Sequence, residues 1–319
     1  MSEPILQRVG AIFVGVETNL GEAVPIEECT MILVTQQSRT AYAGNTVDRE
    51  RRTEELRNFE QINTGPYATV EVTVPASGSG VPPTESAVVA PSYGLLMRAC
   101  KRVEVQDLEA GEVRWEPVSG ESDSITLYYI QDGEMQCLPG TRGQVTGSFQ
   151  TGSLPTISFS FTGLYRRPEA IAPITAEPIN QADEIPVNYQ NTRKFQIRGV
   201  DFRLQSLSFD FGNTVTYRNL VGYEGVHITD KRATVQTNFE APRIGDFDVF
   251  EMNESHKTVT TGAMAFEHGT EPGNIVGVRA PKTQFSGLSE QDSDNIMHYQ
   301  MDGRCLPNAG DDELVIYAK

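Results

Sequence analysis

Short runs in which apolar and polar residues alternate one by one recur along the whole chain, and they constrain the fold more than any other feature. In 67–74 (YATVEVTV), Val70, Val72 and Val74 share one face while Thr69, Glu71 and Thr73 share the other. In 156–162 (TISFSFT), Ile157, Phe159 and Phe161 oppose Thr156, Ser158, Ser160 and Thr162. The runs 124–130, 204–211, 233–239 and 313–317 have the same character. A period of two with one wet and one packed face is the pattern of antiparallel sheets. The 28 glycines and 18 prolines punctuate these runs as turns would. Asp132-Gly133 and Asp302-Gly303 read as hairpin turns.

Helical signals are few. Residues 47–60 (VDRERRTEELRNFE) are dense in charge and read as a solvated loop with at most one helical turn. Residues 91–101 (PSYGLLMRACK) predict a short helix that docks Leu95, Leu96 and Ala99 on a sheet. The Pro-rich stretch 168–192 lacks periodicity and reads as an extended linker between a first domain, 1–167, and a second, 193–319. The two parts echo each other. ATVEVTVPASG (68–78) resembles ATVQTNFEAPRIG (233–245), and 125–149 matches 259–285 in the order of strand, acidic turn and glycine-rich stretch. An internal duplication is the expectation.

The chemistry is sparse. Cys29, Cys100, Cys137 and Cys305 have neither zinc-ligand nor disulfide-framework spacing. His227, His256, His268 and His298 form no HExxH or HxH motif and read as structural. The acidic stretch 310–313 (GDDE) reads as a turn ahead of the last strand. No nucleophile–base constellation, P-loop or EF-hand spacing is present, so no enzyme and no cofactor or metal are expected. No run approaches 18 apolar residues, so no membrane span is expected, nor does the N-terminus read as a signal peptide. With 43 acidic against 26 basic residues and a net charge of −17, the chain lacks the basic surplus that DNA binding requires.

One block is distinctive: APSYGLLMRAC (90–100), WEPVS (115–119) and the continuous stretch 124–169. It resembles the tail tube (major tail) proteins of long-tailed bacteriophages. Leu95, Leu96, Arg98, Ala99 and Cys100 match the helix of that family, and Trp115, Pro117 and Ser119 the strand after it. Asp132, Gly133, Gly140, Arg142 and Gly143 match the turn and the segment that follows, while Phe159, Phe161, Thr162, Gly163 and Tyr165 match the closing strand. Lys101 departs from the pattern, because a glycine commonly follows the cysteine. The resemblance is strong over 64–169 and softer over 195–319.

The resemblance implies a mainly β, antiparallel β-sandwich/barrel tail-tube fold, here duplicated, with a short helix packed on the sheet. It implies a structural virion protein that self-assembles into stacked rings, the tail tube through which the genome is delivered, built in the host cytoplasm. Its partners would be further copies of itself, a tape measure protein inside the tube, tail terminator and tail tip proteins, and viral DNA in transit without specific binding. Sheathless (siphovirus) tails fit the resemblance better than contractile ones. Two domains per chain predict trimeric, pseudo-hexameric rings, with a true hexamer as the alternative. The polar faces expected to line the lumen carry Thr69, Glu71, Thr73, Ser206, Ser208, Asp210, Thr234, Gln236 and Asn238, with the first three beside the last three. Arg49, Arg51 and Arg52 sit where the family carries a long hairpin loop and are the candidates for contacts between rings. A carbohydrate- or receptor-binding β-sandwich module of a virion is the alternative from another class. It would show aromatic side chains exposed on one loop face.

Overall fold

The computed structural model describes residues 5–6, 9–172, 174, 177–254 and 258–319. In chain order the first half forms β1 (Gly10–Val16), β2 (Thr30–Ile32), β3 (Gln36–Ala43), β4 (Thr46–Asp48), β5 (Gln61–Asn63), β6 (Tyr67–Pro75) and α1 (Gly94–Arg98). It continues with β7 (Arg102–Asp107), β8 (Glu112–Pro117), β9 (Ile125–Gln131), β10 (Glu134–Gln150), β11 (Thr156–Leu164) and β12 (Glu169–Ala170). The second half forms β13 (Thr192–Ile197), β14 (Val200–Asp201), β15 (Leu204–Asp210), β16 (Thr214–Leu220), β17 (Tyr223–Asp230), β18 (Thr234–Glu240) and α2 (Val249–Asn253). β19 (Gly262–His268), β20 (Val276–Ser293), β21 (Ile296–Cys305) and β22 (Val315–Ala318) complete it. The six alternating runs became β6, β9, β11, β15, β18 and β22, each within two residues at either end.

The main sheet is one antiparallel ladder in the order β3–β6–β11–β10–β15–β18–β21–β20. Its first four strands and its last four have the same chain order: first, second, fourth, third. The second layer repeats as well. β2–β1–β9 runs into the start of β10, and β14–β13–β19 runs into the start of β20. β12 flanks the start of β10 on its other side, as β22 flanks that of β20. From β22 the ladder continues to β8 and β7.

β10 and β20 therefore belong to two layers each, and both bend at a proline. The register shifts between Leu138 and Thr141, around Pro139 and Gly140 (φ +61°), and again between Ala280 and Thr283, around Pro281. A proline lacks the N–H that a continuous ladder needs, so it sits where pairing is handed from one layer to the other.

The ladder is open. Among the described residues the pairings branch but close no ring, so the expected barrel is not formed within one chain. Its outermost strands, β3 and the 284–293 part of β20, each end the main sheet with one unpaired edge. Asp302-Gly303 is also not a turn: both residues lie inside β21, and an added Cβ at Gly303 would stand 2.6 Å from Val235 Cγ2. The glycine makes room for a cross-strand side chain. The actual β20–β21 turn is Asp294-Asn295, both with positive φ. Asp132-Gly133 does form the β9–β10 turn.

One hydrophobic core runs through both halves, from Ile12, Val72, Trp115 and Phe159 to Phe209, Phe239, Phe266 and Ile316. The linker is fastened to both. Ala182 N–H donates to Gly78 O (2.9 Å), Gly152 N–H to Val187 O (2.8 Å) and Gly269 N–H to Asn191 O (2.8 Å), and Val187 is buried. α1 packs on Trp115 so closely that a Cβ at Gly94 would stand 2.7 Å from the indole. α2, which has no clear signal in the sequence, is capped by Asp248 Oδ1, which accepts from the N–H groups of Phe250 and Glu251 (3.0 and 3.2 Å).

Candidate functional site

The most distinctive surface is the polar face of the eight-stranded ladder. Alternation puts Val70, Val72, Val74, Leu207, Phe209, Val235 and Phe239 in the core, so the residues between them face away from it. Thr69, Glu71 and Thr73 on β6, Ser206, Ser208 and Asp210 on β15, and Thr234, Gln236 and Asn238 on β18 all share that face. The β15 and β18 residues are direct neighbours: Ser206 opposes Asn238, Ser208 opposes Gln236, and Asp210 opposes Thr234. The β6 residues are not beside those of β18. β11, β10 and β15 lie between them, because the first half contributes its hairpin β10–β11 before the second half begins.

Those intervening strands supply face residues that the sequence reading left out, among them Gln144, Ser148 and Ser158, with Gln300 and Asp302 from β21. Side chains knit the face across strands. Thr73 Oγ1 and Ser158 Oγ lie 3.1 Å apart, Gln236 Nε2 donates to Asp302 Oδ1 (2.8 Å), and Gln144 Nε2 donates to Asp210. A shallow groove runs along it, lined by Ser148, Ser158, Ser208, Asp210, Gln236 and Asp302. Its carboxylates fall in successive rows, Glu71 in that of Gln144, Asp210 in that of Thr146 and Arg304, and Asp302 in that of Ser148. Arg142 lies one row beyond Gln144, its guanidinium tied to Val226 O (3.0 Å) and Ser122 O (2.8 Å).

The stretch carrying Arg49, Arg51 and Arg52 is a long loop on the short β4–β5 ladder, not a helix. Arg49 pairs with Glu60 at 3.2 Å, and among the described residues no ion pair joins Arg51 or Arg52. Between β15 and β18, in the corresponding place, the hairpin β16–β17 is packed on the first half instead. Tyr217 lies over Tyr67 with ring centroids 5.0 Å apart, and its hydroxyl, which donates to Glu224 Oε1 (2.5 Å), lies 3.4 Å from Pro66 O.

The remaining polar groups serve the fold. His268 is buried between Thr192 Oγ1 (3.0 Å) and Ile185 O (3.1 Å), and burial lowers its pKa. His227 stacks on Tyr223, and His298 lies 3.2 Å from Ile296 O; His256 is outside the described residues. All four cysteines are free, and burial pushes the Cys29 thiol up to about 11 and that of Cys305 to about 12. Arg102, buried over the Phe211 ring (3.6 Å), donates to Leu314 O (3.1 Å), and burial lowers its pKa to about 10. The 310–313 stretch is a turn: Asp312 accepts from the N–H groups of Asn308 and Ala309, while Asp311 is held by Ser119 and Lys231. Those contacts, chiefly the Ser119 hydroxyl, pull Asp311 down to about 2.

The structure thus offers a polar, carboxylate-bearing sheet face flanked by two unpaired sheet edges. The family model for phage tail tube proteins matches residues 8–302. The chain belongs to that family. Compared individually with curated proteins, it matches none. As a tail tube protein it is a structural component of the virion tail that assembles into a tube, and it is not an enzyme. Among the residues that carry the resemblance, Gly143 N–H donates to Ala99 O (3.1 Å) just after α1. Trp115 is fully buried against Tyr93 (5.8 Å between centroids), so it is no exposed sugar-binding aromatic. Lys101, the departure from the pattern, has φ +62°, the conformation a glycine would take without strain.

Proposed function

We propose that this tail tube protein is a duplicated subunit, with tail-tube domains at 1–167 and 193–319, that closes as a trimeric ring of pseudo-sixfold appearance. One observation carries the reading: the strand order β3–β6–β11–β10 recurs as β15–β18–β21–β20 within a single continuous ladder. A ring of three such chains holds six four-stranded units, and the two unpaired edges of each chain meet those of its neighbours. This removes the free edges that an open sheet otherwise exposes to indiscriminate pairing.

In this reading the polar face lines the channel. Its hydroxyls and amides give DNA a wet wall, and Glu71, Asp210 and Asp302 repel phosphates, so a genome can slide without sticking. The tape measure protein occupies that channel before the genome does, and terminator and tip proteins close the ends of a sheathless tail. The 49–60 loop reaches a copy in the adjacent ring, where Arg49, Arg51 and Arg52 meet acidic groups. Such rim pairs set register and specificity more than affinity.

Mass per unit length of purified tubes tests the ring count. Three chains per ring are expected, and six chains with the second half outside the channel wall would overturn the duplication. Deleting 45–60 should leave a folded monomer that forms no tubes; tubes of normal length from that deletion would remove the loop from the stacking contact.

A further inference from the structure

The ladder between β10 and β15 joins one half of the chain to the other, and its register is a template for a contact the isolated chain lacks. Across it Thr146 opposes Asp210, Ser148 opposes Ser208, and Gln150 opposes Ser206. Each of these positions has a counterpart at an unpaired edge. Ser38 opposes Glu71 as Ser208 opposes Gln236. Glu71 and Gln236 oppose Ser160 and Asp302, which in turn oppose Gln144 and Ser286. After Ser286, β20 carries one extra residue at Gly287 (φ +67°), and Ser289 then faces Gln300 as Thr146 faces Ser158. Ser289, Gln291 and Ser293 thus stand for Thr146, Ser148 and Gln150, and Thr40, Ser38 and Gln36 stand for Asp210, Ser208 and Ser206.

Resting on the reading of the chain as a ring subunit, we propose that residues 289–293 of β20 pair antiparallel with residues 36–40 of β3 from a second copy. The register sets Ser289 against Thr40, Gln291 against Ser38 and Ser293 against Gln36. A slip by one residue is excluded by face. It would turn the Ser, Thr and Gln side chains of one strand onto the packed side of the other.

The packed side of this seam supports the assignment. Where the internal seam sets Gly147 against Phe209 and Phe149 against Leu207, the outer one sets Glu290 against Arg39 and Asp292 against Gln37. Charged residues on the packed side of an edge strand are a device against indiscriminate pairing. Here one pair is also complementary in sign, Glu290 of β20 against Arg39 of β3, while Asp292 meets the neutral Gln37. Arg39 is already held near that edge over the Tyr129 ring (4.8 Å), with Glu134 at 3.3 Å. The seam is therefore more polar than the internal one and favours an edge that sets a cation against Glu290.

Cysteine cross-linking tests the register. Directly opposed strand positions lie within disulfide reach, whereas positions one pair out of step lie about 7–8 Å apart and do not. In tubes carrying Ser38→Cys with Gln291→Cys, mild oxidation should convert most of the chain to covalent multimers. Ser38→Cys with Ser289→Cys, and Ser38→Cys with Ser293→Cys, should give at least tenfold less. The unsubstituted chain, with its four native thiols, sets the background, and an unchanged monomer melting temperature shows that each variant folds. Tubes that form normally but cross-link best in either offset pair, or in none, would overturn this register and leave the ring reading intact. An unsubstituted chain that forms neither rings nor tubes would overturn both.

Discussion

The Glu112 carboxylate grips the Arg279 guanidinium through two hydrogen bonds of 2.6 and 2.8 Å, fastening β8 of the first half to β20 of the second. The Glu112 side chain is 1% exposed, while Arg279 lies on the Tyr317 ring (3.8 Å) with Lys319 Nζ 3.5 Å from the same carboxylate. Removing the carboxylate leaves the part-exposed Arg279 without its bidentate partner and Lys319 with Glu267 alone (3.7 Å). We expect Glu112→Ala to cost about 1.5–3 kcal/mol in urea titration. Asp107→Ala, which breaks the more exposed pair with Arg114, should cost markedly less. Equal losses would mean that the clamp does not hold the halves together.

The internal seam depends on a missing side chain. A Cβ at Gly147 would stand 2.1 Å from Phe209 Cε1 on the opposing strand. Gly147→Ala should therefore cost about 1–3 kcal/mol through overpacking. Phe209→Leu in the same background should recover part of that loss, a non-additivity that a double-mutant cycle measures. Simple additivity would show that the two do not meet.

Lys101 carries a left-handed backbone (φ +62°) directly after the helix that presents Cys100 to the core. For a residue with a Cβ this conformation costs about 1–2 kcal/mol, part of which glycine returns as unfolded-state entropy. Lys101→Gly should stabilise the chain by about 0.5–1 kcal/mol, read as a rise in melting temperature. A fall would mean that the lysine side chain contributes more than the strain it imposes.

That lysine also marks what was legible in the sequence. A single departure from a motif falls at a position whose backbone proves left-handed, and strict alternation located β6, β11 and β18 with their buried faces. What the alternation could not reveal were the strands that carry glycine and proline for packing reasons. β10 holds Pro139, Gly140, Gly143 and Gly147, and β20 holds Pro281 and Gly287, so both looked like turn-rich stretches. In the folded chain these residues make a bend between layers or leave space for Phe161 and Phe209. Half of the polar face, including Gln144, Ser148 and Asp302, was hidden for that reason. The separation of β6 from β18 was hidden too, because strand order depends on long-range pairing that no local pattern encodes.

His268 gives the fold an acid-sensitive point. Burial lowers its pKa below the ordinary value of 6.5, so the folded chain resists a proton that the unfolded chain takes up. Its contribution is therefore complete above about pH 6.5 and is lost progressively as the pH falls below that value. Melting temperatures between pH 8 and pH 5 should decline, and His268→Gln should flatten the decline by removing the titrating group. An unchanged slope in that variant would place the acid sensitivity elsewhere.

Charge on the polar face offers the most direct test of its proposed role. Glu71 and Asp302 are exposed, lie outside the core and hold no buried contact, whereas Asp210 is engaged by Gln144 and by the Gly212 N–H and is best left intact. Replacing Glu71 and Asp302 with lysine turns two repulsive charges per chain into attractive ones, repeated along every ring of the tube. Tube formation should survive, because neither residue lies on an unpaired edge. DNA passage should then slow in ejection assays at low salt and recover as salt rises, since retention by lysines depends on counterions released from the phosphates. A cysteine at position 71 should likewise resist a bulky maleimide in the assembled tube and react freely in the monomer. Ejection that is indifferent to the two lysines, with rapid labelling of Cys at 71 on intact tubes, would put this face on the outside of the tail.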